Sequence, residues 1–125
     1  MESLDIQTTE LQNFNIALKG LVKNKTLSHL DLTDCKMSVK CLEVLAEIIT
    51  AHPKLKILKI NYNDFTRGGG SYESAFFNFC LSIHHNKTLE ELHMNQTVIS
   101  NAEIFWSAIG SNVALRYLRV KPSHD

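Results

Sequence analysis

The stretch Leu27-Ser28-His29-Leu30-Asp31-Leu32-Thr33-Asp34-Cys35-Lys36-Met37 decides how this chain is read. Leucines hold its first, fourth and sixth places, Cys35 the ninth and Met37 the eleventh. Side chains alternate across an extended run, so Leu30 and Leu32 share a face, and a bend brings Leu27 to the same core. Cys35 stands where the chain turns away. A Cys, Asn or Thr at that place packs against or bonds the main-chain groups that a turn leaves without partners. The spacing returns at Leu55, Leu58, Ile60, Asn63 and Phe65, and again at Leu89, Leu92, Met94, Thr97 and Ile99. Weaker copies are Met1, Leu4, Ile6, Thr9 and Leu11 at one end and Leu115, Leu118 and Val120 at the other. Repeat units therefore open at residues 1, 27, 55, 89 and 115.

Between these motifs the apolar period changes. Counting back from Leu27, Leu55, Leu89 and Leu115, the sixth residue is Leu21, Ile49, Ile83 or Ile109. The ninth is Leu18, Ala46, Cys80 or Trp106, the tenth Ala17, Leu45, Phe79 or Phe105, and the thirteenth Phe14, Leu42, Phe76 or Ala102. Every one is apolar, at offsets of three, four and seven, which is one face of an amphipathic helix. Helices are expected from about Asn13 to Lys23 and from about Ser38 to Ala51, the latter stopped before Pro53. Ser100-Asn101-Ala102-Glu103 has the pattern of a capping box opening the last helix. The third residue before each motif is Asn24, Asn86 or Asn112, with His52 standing in once.

A strand motif of this spacing followed by a full helix, repeated over essentially the whole chain, resembles the leucine-rich repeats of the ribonuclease-inhibitor-like class. The resemblance implies an α/β solenoid, curved, with five parallel strands on the concave side and four helices on the convex side. It also implies the general activity of such arrays in inhibitors, adaptor subunits and innate-immune receptors, which is to hold another macromolecule. The third unit departs from the pattern. It has 34 residues where the units opening at 1, 27 and 89 have 26 to 28, the excess falling in Asp64 to Ser71 with its Gly68-Gly69-Gly70 run. Insertions of this kind become rim loops.

Composition narrows the classes further. The 125 residues suit a single domain with a sizeable core. Thirteen basic and thirteen acidic side chains cancel, which argues against nucleic-acid or membrane attraction by the molecule as a whole. The odd count of three cysteines, the absence of a leader-like start and the lack of a spanning apolar run give a cytoplasmic expectation.

No residues converge on catalysis. His29 and His93 fall two strands apart, roughly 10 Å by strand spacing, and His84 and His85 diverge on one helix. Cys35, Cys41 and Cys80 occupy turn or core places with no base beside them. Asp64 to Ser71 lacks the phosphate-loop spacing. The sequons at Asn24 and Asn86 fall at the helix-to-strand joint, and without a leader-like start these two and the one at Asn95 are read as coincidence. The expectation is a non-enzyme with no metal and no cofactor.

What remains is surface. The outward strand column reads Asp5, Asp31, Lys59, His93 and Arg119, acidic early and basic late. Glu2 and Asp34 extend the acidic end, and Arg116 and Lys121 the basic end, while Ile57, Tyr62 and Tyr117 add apolar and aromatic area. The candidate partner-binding set is Asp31, Ile57, Lys59, Tyr62, His93, Arg116, Tyr117 and Arg119, facing another protein of opposite polarity. A second candidate patch, for a partner or for self-association, is Tyr72, Phe77 and Leu81. Phe77 and Leu81 break an outer helix face that is otherwise polar (Glu43 and Glu47, Glu103 and Ser107). The alternative to a scaffold is a terminal piece of a longer array whose activity lies elsewhere, since repeat arrays ordinarily carry polar caps.

Overall fold

The computed structural model describes the backbone of Ser3–Asp5 and residues 18–66, 71–97 and 101–121. Strand β1 (Ser3–Asp5) is followed by a 3-10 turn at Gly20–Lys23 that closes a helix whose described residues are Leu18 and Lys19. Then come β2 (His29–Asp31), α1 (Val39–Ala51), β3 (Ile57–Lys59), α2 (Tyr72–His85), β4 (Glu91–Asn95), α3 (Ala102–Ser111) and β5 (Tyr117–Lys121). The strands lie in the order β1-β2-β3-β4-β5, every pair parallel. The register sets Leu4, Leu30, Leu58, Leu92 and Leu118 side by side. The side chains of β1, the helix expected before Leu18 and the glycine run lie outside the described residues.

The core is the expected one through the middle of the chain. Leu27, Leu30, Leu32, Leu55, Leu58, Ile60, Leu89, Leu92 and Met94 are all buried against Leu42, Leu45, Ile49, Phe76, Phe79 and Ile83 from the helices. Phe76, Phe79 and Phe105 form an aromatic row, with ring centroids 6.2 Å and 6.1 Å apart. Each such side chain, removed from water, stabilises the fold by about 1.5–3 kcal/mol.

The last helix departs from the sixteen-residue pattern. Ala102 is exposed and Trp106 is 50% exposed, although Leu18, Ala46 and Cys80 in the same column as Trp106 are buried. In those three units the following helix covers the column, and among the described residues no further helix lies over α3. The cap of α3 also differs from expectation. Asn101, not Ser100, occupies the N-cap, its Oδ1 accepting from the Ile104 N–H at 3.1 Å. Ser71 caps α2 through the Ser74 N–H in the same manner.

The turn column is the structural centre of the motif. Asn63 is buried, and its Oδ1 accepts from the N–H groups of Cys35 and Met37 at 3.0 and 3.3 Å. Its Nδ2 lies 2.9 Å from the Leu32 carbonyl and 3.1 Å from those of Ile60 and Asn61. One amide thus ties the turn after β3 to the turn after β2. Thr97 in the same column donates to the Met94 carbonyl, and Cys35 is a small buried filler. Asp34, Tyr62 and Gln96, each two residues past the last core place, share a left-handed backbone with φ of 55°, 57° and 57°. The bend is therefore the same in three units although none of these residues is glycine.

Two outcomes test this account. Leu58→Asp puts an unpaired carboxylate into the buried strand column, and cooperative thermal unfolding should disappear. Asn63→Ala strands main-chain groups of two turns at once and should lower stability by about 3 kcal/mol or more in denaturant titration. A melting temperature near that of the parent in either variant would contradict the assignment of its column.

Candidate functional site

The sheet has one face against the helices and one open. On the open face the parallel register builds two rows across the strands. His29, Ile57, Glu91 and Tyr117 form the first, and Asp31, Lys59, His93 and Arg119 the second. The charge order expected for the second row is thereby a true spatial order, since Asp31 pairs with Lys59, Lys59 with His93 and His93 with Arg119.

The individual side chains differ in the surface they offer. Asp31, expected as a contact, is only 6% exposed, and its Oδ1 accepts from the Thr33 N–H at 3.0 Å. It orders the chain at the end of β2 and has little surface to present. Ile57 and Lys59 are half-buried on β3. Tyr62 is 59% exposed but lies in the turn beyond β3, where its N–H donates to the Asn95 carbonyl. Arg116 lies at the opposite end of the strands, just before β5, its N–H bonded to the Glu90 carbonyl. The candidate set is thus not one compact cluster.

His93, Tyr117 and Arg119 do come together. The imidazole of His93 and the ring of Tyr117 have centroids 5.2 Å apart, and the Arg119 guanidinium carbon lies 5.4 Å from the centre of the same ring. Arg119 Nε also donates to the Tyr117 hydroxyl. A guanidinium so placed gains from the negative face of the ring. Each group limits the freedom of the others, and Tyr117 remains 41% exposed.

Sequence reasoning passed over the acidic members of this region. Glu91, in the row of Ile57 and Tyr117, reaches His93 Nε2 at 3.2 Å. Glu90 accepts from Lys56 Nζ at 3.0 Å. That hydrogen bond, then the Lys56 charge, and more weakly the charge of Arg116, hold the Glu90 carboxyl below its usual range. The alternation that exposes Ile57 and Tyr117 also exposes Glu91, so the signal was present in the period of two.

Among the described residues, no group of three or more His, Cys, Asp or Glu side chains could hold a metal ion. The three cysteines are buried thiols, and burial pushes that of Cys80 up to about 12. His52 is buried and donates through Nε2 to the Leu21 carbonyl at 2.6 Å, a structural role. Among the described residues, no helix is long and apolar enough to cross a membrane.

A family model described as Leucine Rich repeat matches residues 23–46, from the end of the 3-10 turn through β2 and into α1. The chain carries a leucine-rich repeat there, and such repeats in general serve protein interaction without catalysis of their own. No curated protein matches the chain.

Cys80 supplies a check on this geometry. Because its folded pKa lies above that of a free thiol, the thiol contributes stability that is complete at neutral pH. That contribution is lost as pH rises through the interval from about 9 to about 12. At pH 8.5 Cys80 should hold roughly a thousandfold less thiolate than an exposed cysteine. Its alkylation by iodoacetamide should therefore track global unfolding. Rapid labelling of the folded chain, followed by peptide mass spectrometry, would show the column to be open.

Proposed function

We propose that the chain is a protein-binding module of the ribonuclease-inhibitor-like class, a curved solenoid of five strands that takes its partner on the open, concave face of the sheet. The observation that supports this is the His93–Tyr117–Arg119 group, an exposed aromatic ring fixed between an imidazole and a guanidinium. Aromatic and arginine side chains held in place in this way are the usual energetic centres of interfaces. Arg116 and Lys121 extend positive charge beside it. The partner surface that fits is acidic with an aromatic or apolar centre, seated on β4 and β5. Ile57 and Lys59 lie toward its edge, and Tyr62 contacts it from the rim.

A second reading, that the chain is a piece of a longer array acting elsewhere, is supported by the β5 side. Leu115, Leu118 and Val120 are only half-buried, where the same columns in the units beginning at 27, 55 and 89 are closed. An adjoining unit of the same repeat would complete them. The two readings are compatible, since a longer array would lengthen the same open face.

Selection of a random-peptide phage library separates these readings from none at all. Against the parent chain it should return acidic, aromatic-containing peptides. Against Tyr117→Ala combined with Arg119→Glu it should not, and synthetic versions should lose about 10- to 100-fold in affinity, the 1–3 kcal/mol typical of such anchors. The same consensus from both chains would place the site elsewhere. Charge reversal at Arg119 alone should mainly slow association at low salt.

A further inference from the structure

The opposite surface, formed by the helices, carries a feature that the open sheet face does not explain. Phe77 and Leu81, four residues apart on α2, are 45% and 41% exposed. Tyr72, expected beside them, parts from the pair. It is half-buried, 5.7 Å from the Phe76 ring, and belongs to the margin of the core. The exposed pair thus forms a short apolar ridge along the outer side of α2. In α1 and α3 the equivalent places hold Glu43 and Glu47, and Glu103 and Ser107.

Depressions run along both flanks of this ridge. Between α1 and α2 lies a groove of about 840 Å³ whose apolar lining is Val22, Ala46, Ala51 and Leu81. Between α2 and α3 a second, of about 330 Å³, is lined by Leu81, Ile104 and Ala108. A third hollow beside Phe77 continues it past Phe76 and Ile104. Leu81 stands between the first two like a divider, and Phe77 borders the third.

The carboxylates and amines that line these three hollows are of one sign, although Lys87 lines a further hollow that shares Thr50, Ala51, Ser82 and His85 with the first. Glu43 and Glu47 line the first, Glu103 the second and Glu73 the third, and no lysine or arginine lines any of them. Apart from these four glutamates, the titratable side chains of the lining are His84, His85 and Cys80. None of the four carboxylates has an ion-pair or hydrogen-bond partner among the described residues. An apolar ridge with unpaired carboxylates on both sides calls for an occupant with apolar residues at its centre and cations at its flanks.

The geometry points to this helical surface as a docking site for a basic amphipathic helix of another protein. Apolar residues at i, i+3, i+4 and i+7 of the incoming helix would straddle Phe77 and Leu81 and enter the grooves, while lysine or arginine on its sides meets Glu43, Glu47, Glu73 and Glu103. A second copy of this chain does not fit the same place. A two-fold contact sets the same patch against itself, and would bring four carboxylates against four. Anionic lipid is excluded by the same sign.

The test uses a synthetic leucine–lysine amphipathic helix and its leucine–glutamate counterpart as probes, titrated into the full chain by NMR and fluorescence anisotropy. The leucine–lysine helix should bind, shifting resonances of Phe77, Leu81, Ala46 and Ile104, and the leucine–glutamate helix should not. Phe77→Ser with Leu81→Ser should weaken binding at least tenfold with the fold intact by circular dichroism, because both side chains are already half in water. Glu43→Gln with Glu47→Gln and Glu103→Gln should weaken it less and flatten its salt dependence. The Tyr117→Ala, Arg119→Glu chain should bind as the parent does, which separates this surface from the open sheet face. Binding unaffected by the Ser variants, or equal binding of both probes, overturns the proposal. So does a self-association that the Ser variants abolish, since it makes a second copy the occupant.

Discussion

Everything in this fold depends on a few side-chain amides that fasten each unit to the one before. Parallel strands fix each other only where main-chain groups meet, and β2 and β3 are three residues long. Beyond those residues a few main-chain bonds continue, such as Asp34 N–H to the Asn61 carbonyl, and Asn63 adds to them by joining the turn after β3 to the turn after β2. At the other end of the strands Asn86 reaches the Ile49 carbonyl and Asn112 the Ile83 carbonyl, at 2.9 and 2.7 Å. Each Oδ1 meanwhile accepts from the N–H groups that begin the next motif. His52 makes the equivalent bond to Leu21, but an imidazole has no amide oxygen to accept from the next motif, and its Nδ1 is buried with no hydrogen-bond partner among the described residues. Buried polar groups are stabilising here because they are satisfied on both sides, and the His52 joint is the one that falls short.

This fastening produces the open face. Because the register has no offset from β2 to β5, side chains of equal rank stand in straight rows, so a charge pattern written one residue per unit becomes a pattern in space. The rows are not free of internal use. Asp31 is spent on Thr33, Glu90 on Lys56 and Glu91 on His93, which leaves the aromatic and guanidinium groups near β5 as the part with surface to offer. On the helical side the reverse holds: the carboxylates are unengaged and the apolar pair is exposed.

Much of this was legible in the sequence, and the reasons differ by residue. Leu30, Leu58 and Leu92 could be placed because burial on one face of a strand leaves a period of two, and the helix columns because burial on one stripe leaves offsets of three and four. Trp106 could not, since its column is apolar whether or not a neighbour covers it, and only the arrangement of helices shows that among the described residues none does. The low exposure of Asp31 has a local cause. An Asp two residues before an N–H folds back on its own backbone, and the strand period carries no trace of that. Tyr62 and Arg116 were read as neighbours of one outward column but lie beyond opposite ends of the strands, because the motif fixes rank within a unit and not reach. The His93–Tyr117–Arg119 contact was invisible for the same reason, as it joins two strands whose sequence separation says nothing about ring orientation.

Among the described residues each strand packs beside the next strand and each helix beside the next helix, and the unit beginning at Leu55 shows the consequence. It carries 34 residues, yet β3 and β4 stay in register and α2 packs between its neighbours as α1 does. The extra residues fall in the sequence between β3 and α2, whereas the eleven places of the motif are held by Asn63 and its kin. Length is therefore a free variable of the unit and phase is not. Such a chain can lengthen a loop in any one unit without renegotiating the others, while a single residue gained or lost inside the motif would put every row beyond it out of step.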